Sequence, residues 1–235
     1  MNSKKMPRLW YWYLPVIAVF LWSVLLCDRA VTAISESRPL PRKYCIVIDP
    51  GHGGIDGGAI SCTGIPESKI NLEIALRLED LLHLMGYDTV MTRKTDTSIH
   101  TQGDTIARQK ISDLKERVRI ANETENGVLI SIHQNMFVDS QYRGAQVFYA
   151  SAGGSEALAG MLQNQFVNTL NPGSRRKSKS AAGIYLMEQI SCTGILVECG
   201  FLSNPEEEAL LRRDAYQKQI CTVIAATVSQ YLSNT

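Results

Sequence analysis

Two runs of the chain carry apolar side chains at consecutive positions instead of alternating ones. The first, Tyr44-Cys45-Ile46-Val47-Ile48, stops in Asp49-Pro50-Gly51-His52-Gly53-Gly54; the second spans residues 127–132 and is closed by His133. A strand with no polar face is buried on both sides, which calls for a mostly parallel sheet with helices above and below it. Between and after these runs the period changes to that of a helix. Residues 68–85 repeat Ile70, Ile74, Leu78, Leu81, Leu82 and Met85 at helical spacing, with Gly86 placed to end the helix. Residues 111–124 carry a Leu114, Val118 and Ala121 stripe, and residues 156–170 and 215–232 read as two more helices. Further strands are expected over residues 87–93, 144–150, 183–187 and 194–199. Asn204-Pro205-Glu206-Glu207-Glu208 is a helix start, with Asn as the cap, Pro at the first position and acids in the first turn. Residues 94–110, with His100 inside, and residues 171–182 are long connections. The expected fold is a single three-layer α/β domain over residues 44–235, with a mostly parallel central sheet flanked by helices.

Ahead of that domain, residues 9–27 form 19 uncharged positions in succession, enough to cross a hydrocarbon core of roughly 30 Å. Lys4, Lys5 and Arg8 before it favour a cytoplasmic N-terminus and place everything after it outside. Trp10, Tyr11, Trp12 and Tyr13 fit an interfacial belt. The length favours an uncleaved anchor over a cleaved signal segment, for which Val31-Thr32-Ala33 would be an acceptable cleavage site. Residues 1–27 are thus read as membrane anchor or signal segment and residues 28–43, polar and proline-bearing, as a linker. The folded domain is then exported and held near the outer face of the membrane.

Composition removes several classes of partner. A net charge of +1 gives no global field for nucleic acid, and no basic-aromatic array offers bases a stacking surface. The basic cluster Arg175, Arg176, Lys177 and Lys179 reads first as a solvated face. Gly51, Gly53 and Gly57 fit neither a P-loop nor a dinucleotide fingerprint. Six cysteines, none in a C-x-x-C pair, sit in a chain too large to need stapling; Cys45 and Cys199 fall in strands as small core residues, and no pairing is assigned.

Ligands of an open α/β sheet gather where strands end. Three expected strand ends carry His52, His133 and Glu198. A catalytic zinc takes three protein ligands and leaves a position open. His52 and His133 supply two imidazoles, and Glu67, at the edge of the first helix, is placed to be the third ligand. The plain alternatives are a first-turn acid at Glu67 and a core histidine at His133. His83, in mid-helix, and His100, in a loop, are weaker candidates. Glu198 follows Ile195-Leu196-Val197, where a charge is costly without a partner or a task. General acid/base work beside a metal is such a task. Strand alternation turns Cys199 to the opposite face.

Taken in order, Ile48-Asp49-Pro50-Gly51-His52-Gly53-Gly54, Glu67 with Asn71, Ser131-Ile132-His133-Gln134-Asn135 and Val197-Glu198-Cys199-Gly200-Phe201-Leu202-Ser203-Asn204 resemble the zinc-dependent N-acetylmuramoyl-L-alanine amidases of bacterial cell walls. The resemblance covers residue 44 onward. Residues 108–119 and Gly183-Ile184-Tyr185-Leu186-Met187 are similar to the germination-specific, spore-cortex branch. It implies Zn2+ on His52, Glu67 and His133, Glu198 as catalytic acid/base, and peptidoglycan as substrate. The bond cut would be the amide between the lactyl group of N-acetylmuramic acid and L-alanine. The branch would place the domain between the two forespore membranes and leaves room for an activating partner protein; oligomeric state is not implied. Gln134 and Cys199 depart from the family pattern without being ligands. The competing readings are a wall-binding module that has lost catalysis and a metal hydrolase acting on another peptidoglycan amide. On the family reading, the 175–179 cations have stem-peptide carboxylates as a second possible task.

Overall fold

The computed structural model describes residues 43–235. The expected membrane segment, Cys27 and all but the last residue of the linker lie outside the described residues, among which no helix is long and apolar enough to cross a membrane. The chain order is β1 (Cys45–Pro50), α1 (Glu67–Leu84), β2 (Asp88–Met91), α2 (Ile106–Glu123), β3 (Gly127–Asn135), β4 (Gln146–Tyr149), α3 (Ser155–Thr169), β5 (Lys179–Ser180), α4 (Tyr185–Gln189), β6 (Thr193–Phe201), α5 (Pro205–Leu211) and α6 (Asp214–Ser233).

The strands form one sheet in the order β2-β1-β3-β6-β4-β5. The β1/β2, β1/β3, β3/β6 and β4/β5 pairs are parallel, whereas β4 runs antiparallel to β6. The sheet is mostly parallel, as expected, and one antiparallel pair makes it mixed. The reason lies in the connection from β3 to β4, residues 136–145, which is too short for a crossover helix and can only turn the chain back. Ile46, Ile48, Ile130, Ile132 and Val197 point to the face covered by α1, α3 and α6; Val47, Leu129 and Leu196 point to the other, covered by α2 and α4. Burial on both faces explains the unbroken apolar runs.

Helix ends follow local chemistry. Gly86, at φ 79°, ends α1: its N–H bonds the His83 carbonyl, while the Tyr87 N–H bonds that of Leu82. Asn204 caps α5 by accepting from the N–H groups of Glu206 and Glu207. Helix α2 begins five residues before the expected start, because Thr105 caps it by accepting the Arg108 N–H. The expected strand over residues 183–187 is absent. Gly183, at φ 86°, turns the chain into the short helix α4, whose Leu186 and Met187 fill the second core; an apolar run this short does not distinguish the two conformations. Strands β3 and β6 run past His133 and Glu198, so these two residues lie opposite one another within the paired strands, just before the register shifts.

Asp49 ends the apolar stretch of β1 and is fully buried. Its carboxylate accepts from Thr92 Oγ1 at 2.8 Å, Ser131 Oγ at 2.7 Å and Arg117 Nη1 at 2.5 Å. Burial alone would raise its pKa; the Arg117 charge and the two hydroxyls outweigh that and hold it below the ordinary carboxylate range. Arg117 also donates to the carbonyls of Pro50 (2.9 Å) and His52 (2.7 Å) and to Asp113. Arg93, equally buried, donates to the carbonyls of Pro50, Gly51 and Ser68. Two guanidinium groups thus fix three successive carbonyls of the turn leaving β1. Arg117→Met strands the Asp49 charge and should cost about 3–5 kcal/mol in urea unfolding, with part regained in the Asp49→Asn/Arg117→Met double variant.

Candidate metal centre and active site

The turn fixed by Arg93 and Arg117 delivers His52 at φ 61°, a left-handed conformation that is rare for a residue with a Cβ. Its Nδ1 lies 3.0 Å from Asp56 Oδ2, and Asp56 is in turn held by Lys110 Nζ at 2.8 Å. Its Nε2 lies 3.3 Å from Glu67 Oε2. Glu67, the first residue of α1, is buried beneath the sheet edge. Its Oε1 accepts from the Gln134 N–H at 3.1 Å and from Asn71 Nδ2 at 3.1 Å, and lies 3.0 Å from His133 Nδ1; its Oε2 accepts from the Ala59 N–H at 3.0 Å.

Two glycines permit this crowding. A Cβ on Gly51 would fall 2.1 Å from His133 Nε2, and one on Gly58 would fall 2.6 Å from Glu67 Oε2. The His52, Glu67 and His133 donor atoms lie within 4.8 Å of one another. Ligands around a tetrahedral zinc, bound at about 2.0–2.1 Å, are roughly 3.3 Å apart. The His52 Nε2–Glu67 Oε2 separation of 3.3 Å matches that edge, His133 Nδ1 lies 3.0 Å from the other carboxylate oxygen, and two nitrogens with one oxygen are a donor set that zinc accepts. The three residues fit the ion.

Comparison with known proteins gives the family. Residues 46–230 match the N-acetylmuramoyl-L-alanine amidase family. The germination-specific N-acetylmuramoyl-L-alanine amidase of Bacillus subtilis is 38% identical over 84% of this chain and 83% of its own length. The CwlD amidase of Clostridioides difficile, solved in complex with the GerS lipoprotein, superposes with a TM-score of 0.78 at 34% identity, covering 82% of this chain and all of that one. The AmiA amidase of Escherichia coli is 29% identical over 85% of this chain and 81% of its own. This chain belongs to the N-acetylmuramoyl-L-alanine amidase family. It is an enzyme of that class, as the motif resemblance implied, and the reading as a wall-binding module without catalysis finds no support.

In this amidase Glu198 differs from Glu67. It is the register partner of His133 on β3 and of Gln146 on β4, so it stands between them on the same face of the sheet. Its Oε2 is buried with no hydrogen-bond partner among the described residues. Burial raises its pKa to about 7; the Glu67 charge adds to the rise, while His133 and His52 oppose it. Glu67 is moved the other way. Burial would raise it, but the hydrogen bonds and charge of the two imidazoles prevail and hold it well below the ordinary range. For His52 burial favours the neutral ring, yet Glu67 and then Asp56 bring its pKa up to about 9.

A cavity of about 210 Å³ lies beside this group, lined by His52, His133, Lys110, Ile184 and Leu186 among others. His83 and His100 take no part, pairing with Thr89 at 2.6 Å and Ser98 at 2.8 Å. Cys199 faces the opposite core, as strand alternation required, and the described cysteines are all free. Sequence reasoning missed Asp56, Lys110 and Arg117. Only Arg117 left a trace, in the demand of a buried Asp49 for a cation.

A carboxyl whose folded pKa lies above its unfolded value destabilises the fold where it must ionise. In chelator-treated protein the cost from Glu198 is absent below its unfolded pKa, grows between pH about 4.5 and 7, and is complete above. Glu198→Gln should therefore raise the melting temperature of metal-free protein at pH 8 and leave it nearly unchanged at pH 4.5, as scanning calorimetry would record.

Proposed function

We propose that this amidase is a zinc enzyme in which His52, Glu67 and His133 hold the ion and Glu198 is the catalytic acid/base. Its substrate is the amide between the lactyl group of N-acetylmuramic acid and L-alanine in peptidoglycan. The observation that carries the assignment is the partnerless, buried Oε2 of Glu198 with a pKa near neutrality, in register with His133. Zinc bound by His52, Glu67 and His133 would supply a Lewis acid able to polarise the amide carbonyl and acidify water. Glu198 takes a proton from the attacking water and passes it to the departing nitrogen of L-alanine, so that the lactyl carboxylate and a free peptide amine result. Asp56, on the far nitrogen of His52, and the backbone N–H groups on Glu67 orient the ring and the carboxylate.

The branch assignment draws on the 38% identity to an amidase named germination-specific and on the likeness to the CwlD amidase. On this reading the enzyme matures spore cortex as germination requires. It has the domain organisation set out from the sequence: anchor or signal segment over residues 1–27, linker over 28–43, catalytic domain over 44–235. The apolar run at 9–27 supports export and tethering outside the cytoplasm, in the forespore intermembrane space. The C. difficile amidase is described with a lipoprotein bound, which supports an activating partner here.

Glu198→Gln should keep one zinc per chain and lose at least about 10²- to 10⁴-fold in turnover. The readout is mass analysis of purified peptidoglycan after digestion: the unsubstituted enzyme should release free peptides and leave peptide-free muramic acid. Near-normal release by the variant, or cleavage at a peptide cross-link by the unsubstituted enzyme, would contradict the assignment.

A further inference from the structure

Of the cations in this chain, many exposed ones sit against carboxylates, as Arg77, Arg108, Arg119 and Arg212 do. The loop ahead of β5 is different. Arg175, Arg176, Lys177 and Lys179 line one cavity of about 600 Å³ with Tyr142 and Gln146, and none of the four is ion-paired among the described residues. Four cations without a direct ion pair stand together on a chain whose net charge is +1, Arg176 alone among them acting at longer range on the buried Glu207 carboxylate.

Arg176 is also fixed in place. Its guanidinium carbon stands 5.0 Å from the Phe201 ring centroid, its Nε donates to the Arg143 carbonyl at 3.3 Å, and its Nη1 donates to Gln146 Oε1 at 3.4 Å. Nη2 has no acceptor among the described residues and is available to a ligand. Gln146 is itself held, its Nε2 donating to the Lys177 carbonyl at 2.7 Å and to Gln163 Oε1 at 3.1 Å. A pre-positioned guanidinium costs less entropy on binding than a free one, and its planar fork suits a carboxylate.

Its place in the sheet gives the subsite a meaning. His133, Glu198 and Gln146 are register partners across β3, β6 and β4, and beyond β4 the chain entering β5 meets that row, the Lys177 carbonyl accepting from Gln146 Nε2 and Lys179 pairing with Phe148. Neighbouring strands are about 4.8 Å apart, so the loop lies roughly two spacings, about 10 Å, from Glu198. An extended peptide advances about 3.3–3.6 Å per residue. A stem peptide with its first amide at Glu198 would bring its second or third residue to Arg176. We propose that Arg176, supported by Arg175, Lys177 and Lys179, is the specificity-determining subsite for a free carboxylate of the stem peptide on the leaving-group side of the scissile amide. This rests on the placement of Glu198 under the function proposed above. The muramoyl side of that amide is an uncharged sugar, so the carboxylate must come from the peptide.

The test compares two soluble muramoyl-L-alanyl peptides that differ at the second residue, one with a free α-carboxylate and one with the α-carboxamide. Binding is measured by calorimetry to zinc-loaded Glu198→Gln protein, which separates recognition from turnover. The carboxylate compound should bind about 10- to 100-fold more tightly, the range of one or two charge-assisted hydrogen bonds. Adding Arg176→Gln should erase the preference, and Arg176→Lys should keep part of it. In the active enzyme Arg176→Gln should raise KM for the carboxylate substrate and spare kcat. The exposed triple variant Arg175→Gln/Lys177→Gln/Lys179→Gln, which disturbs no packing, should lower the preference several-fold and weaken its salt dependence. Equal affinity for the two compounds, a preference that survives Arg176→Gln, or an equal loss on both compounds would overturn the proposal. If the unsubstituted enzyme cleaves neither compound while the binding preference stands, the catalytic assignment fails and the subsite does not. If it cleaves both with equal kcat/KM and binds both equally, the subsite fails and catalysis stands.

Discussion

The ion pair between Asp49 and Arg117 is the contact on which the site depends. Both groups are buried, and a buried carboxylate without its partner is among the costlier defects a core can carry. The same guanidinium reaches the carbonyls of Pro50 and His52, and Arg93 covers those of Pro50 and Gly51. Carbonyls left by the end of a strand need donors, and here two cations from separate elements supply them. The consequence is a turn with little freedom, which can hold His52 in a left-handed conformation and aim its ring at Glu67.

Glu67 joins three parts of the chain that are remote in sequence. Its carboxylate meets His52 after β1, His133 and the Gln134 N–H on β3, and Asn71 one turn along α1. Because α1 packs on the sheet through Ile70, Ile74 and Leu78, the hydrophobic layer sets the height of this carboxylate above the strands. Gly51 and Gly58 are required by the approach of His133, His52 and Glu67, where any Cβ would overlap a donor group. On Glu198 burial outweighs the opposing His133 and His52 charges, since its Oε2 has no hydrogen-bond partner among the described residues. Two glutamates in one site therefore part company, one kept ionised among imidazoles and the other brought near neutrality.

Much of this was legible in residue order. Continuous β-branched runs announced doubly covered strands, and histidines just beyond such runs, with an acid at the start of the next helix, pointed to the cluster of His52, Glu67 and His133 that the fold brings together. What could not be read came from partners far apart or from local ambiguity. Arg117 looks like any solvated helix arginine until folding brings it to Asp49, 68 residues away. Asp56 is an ordinary loop acid until the turn places it under His52. The Ile184-Tyr185-Leu186-Met187 run has apolar residues enough for a strand, but Gly183 and the second core make it a helix. The antiparallel β4 follows from the length of the 136–145 connection, which is too short to carry a crossover helix.

Zinc-edge anomalous diffraction from crystals grown with the metal addresses the central claim most directly. One anomalous peak per chain should lie between His52, Glu67 and His133, and should vanish in Glu67→Ala crystals of unchanged fold. A full-occupancy peak anywhere else, or one that persists at the same position without the Glu67 carboxylate, would contradict the assignment of the metal to this clasped turn.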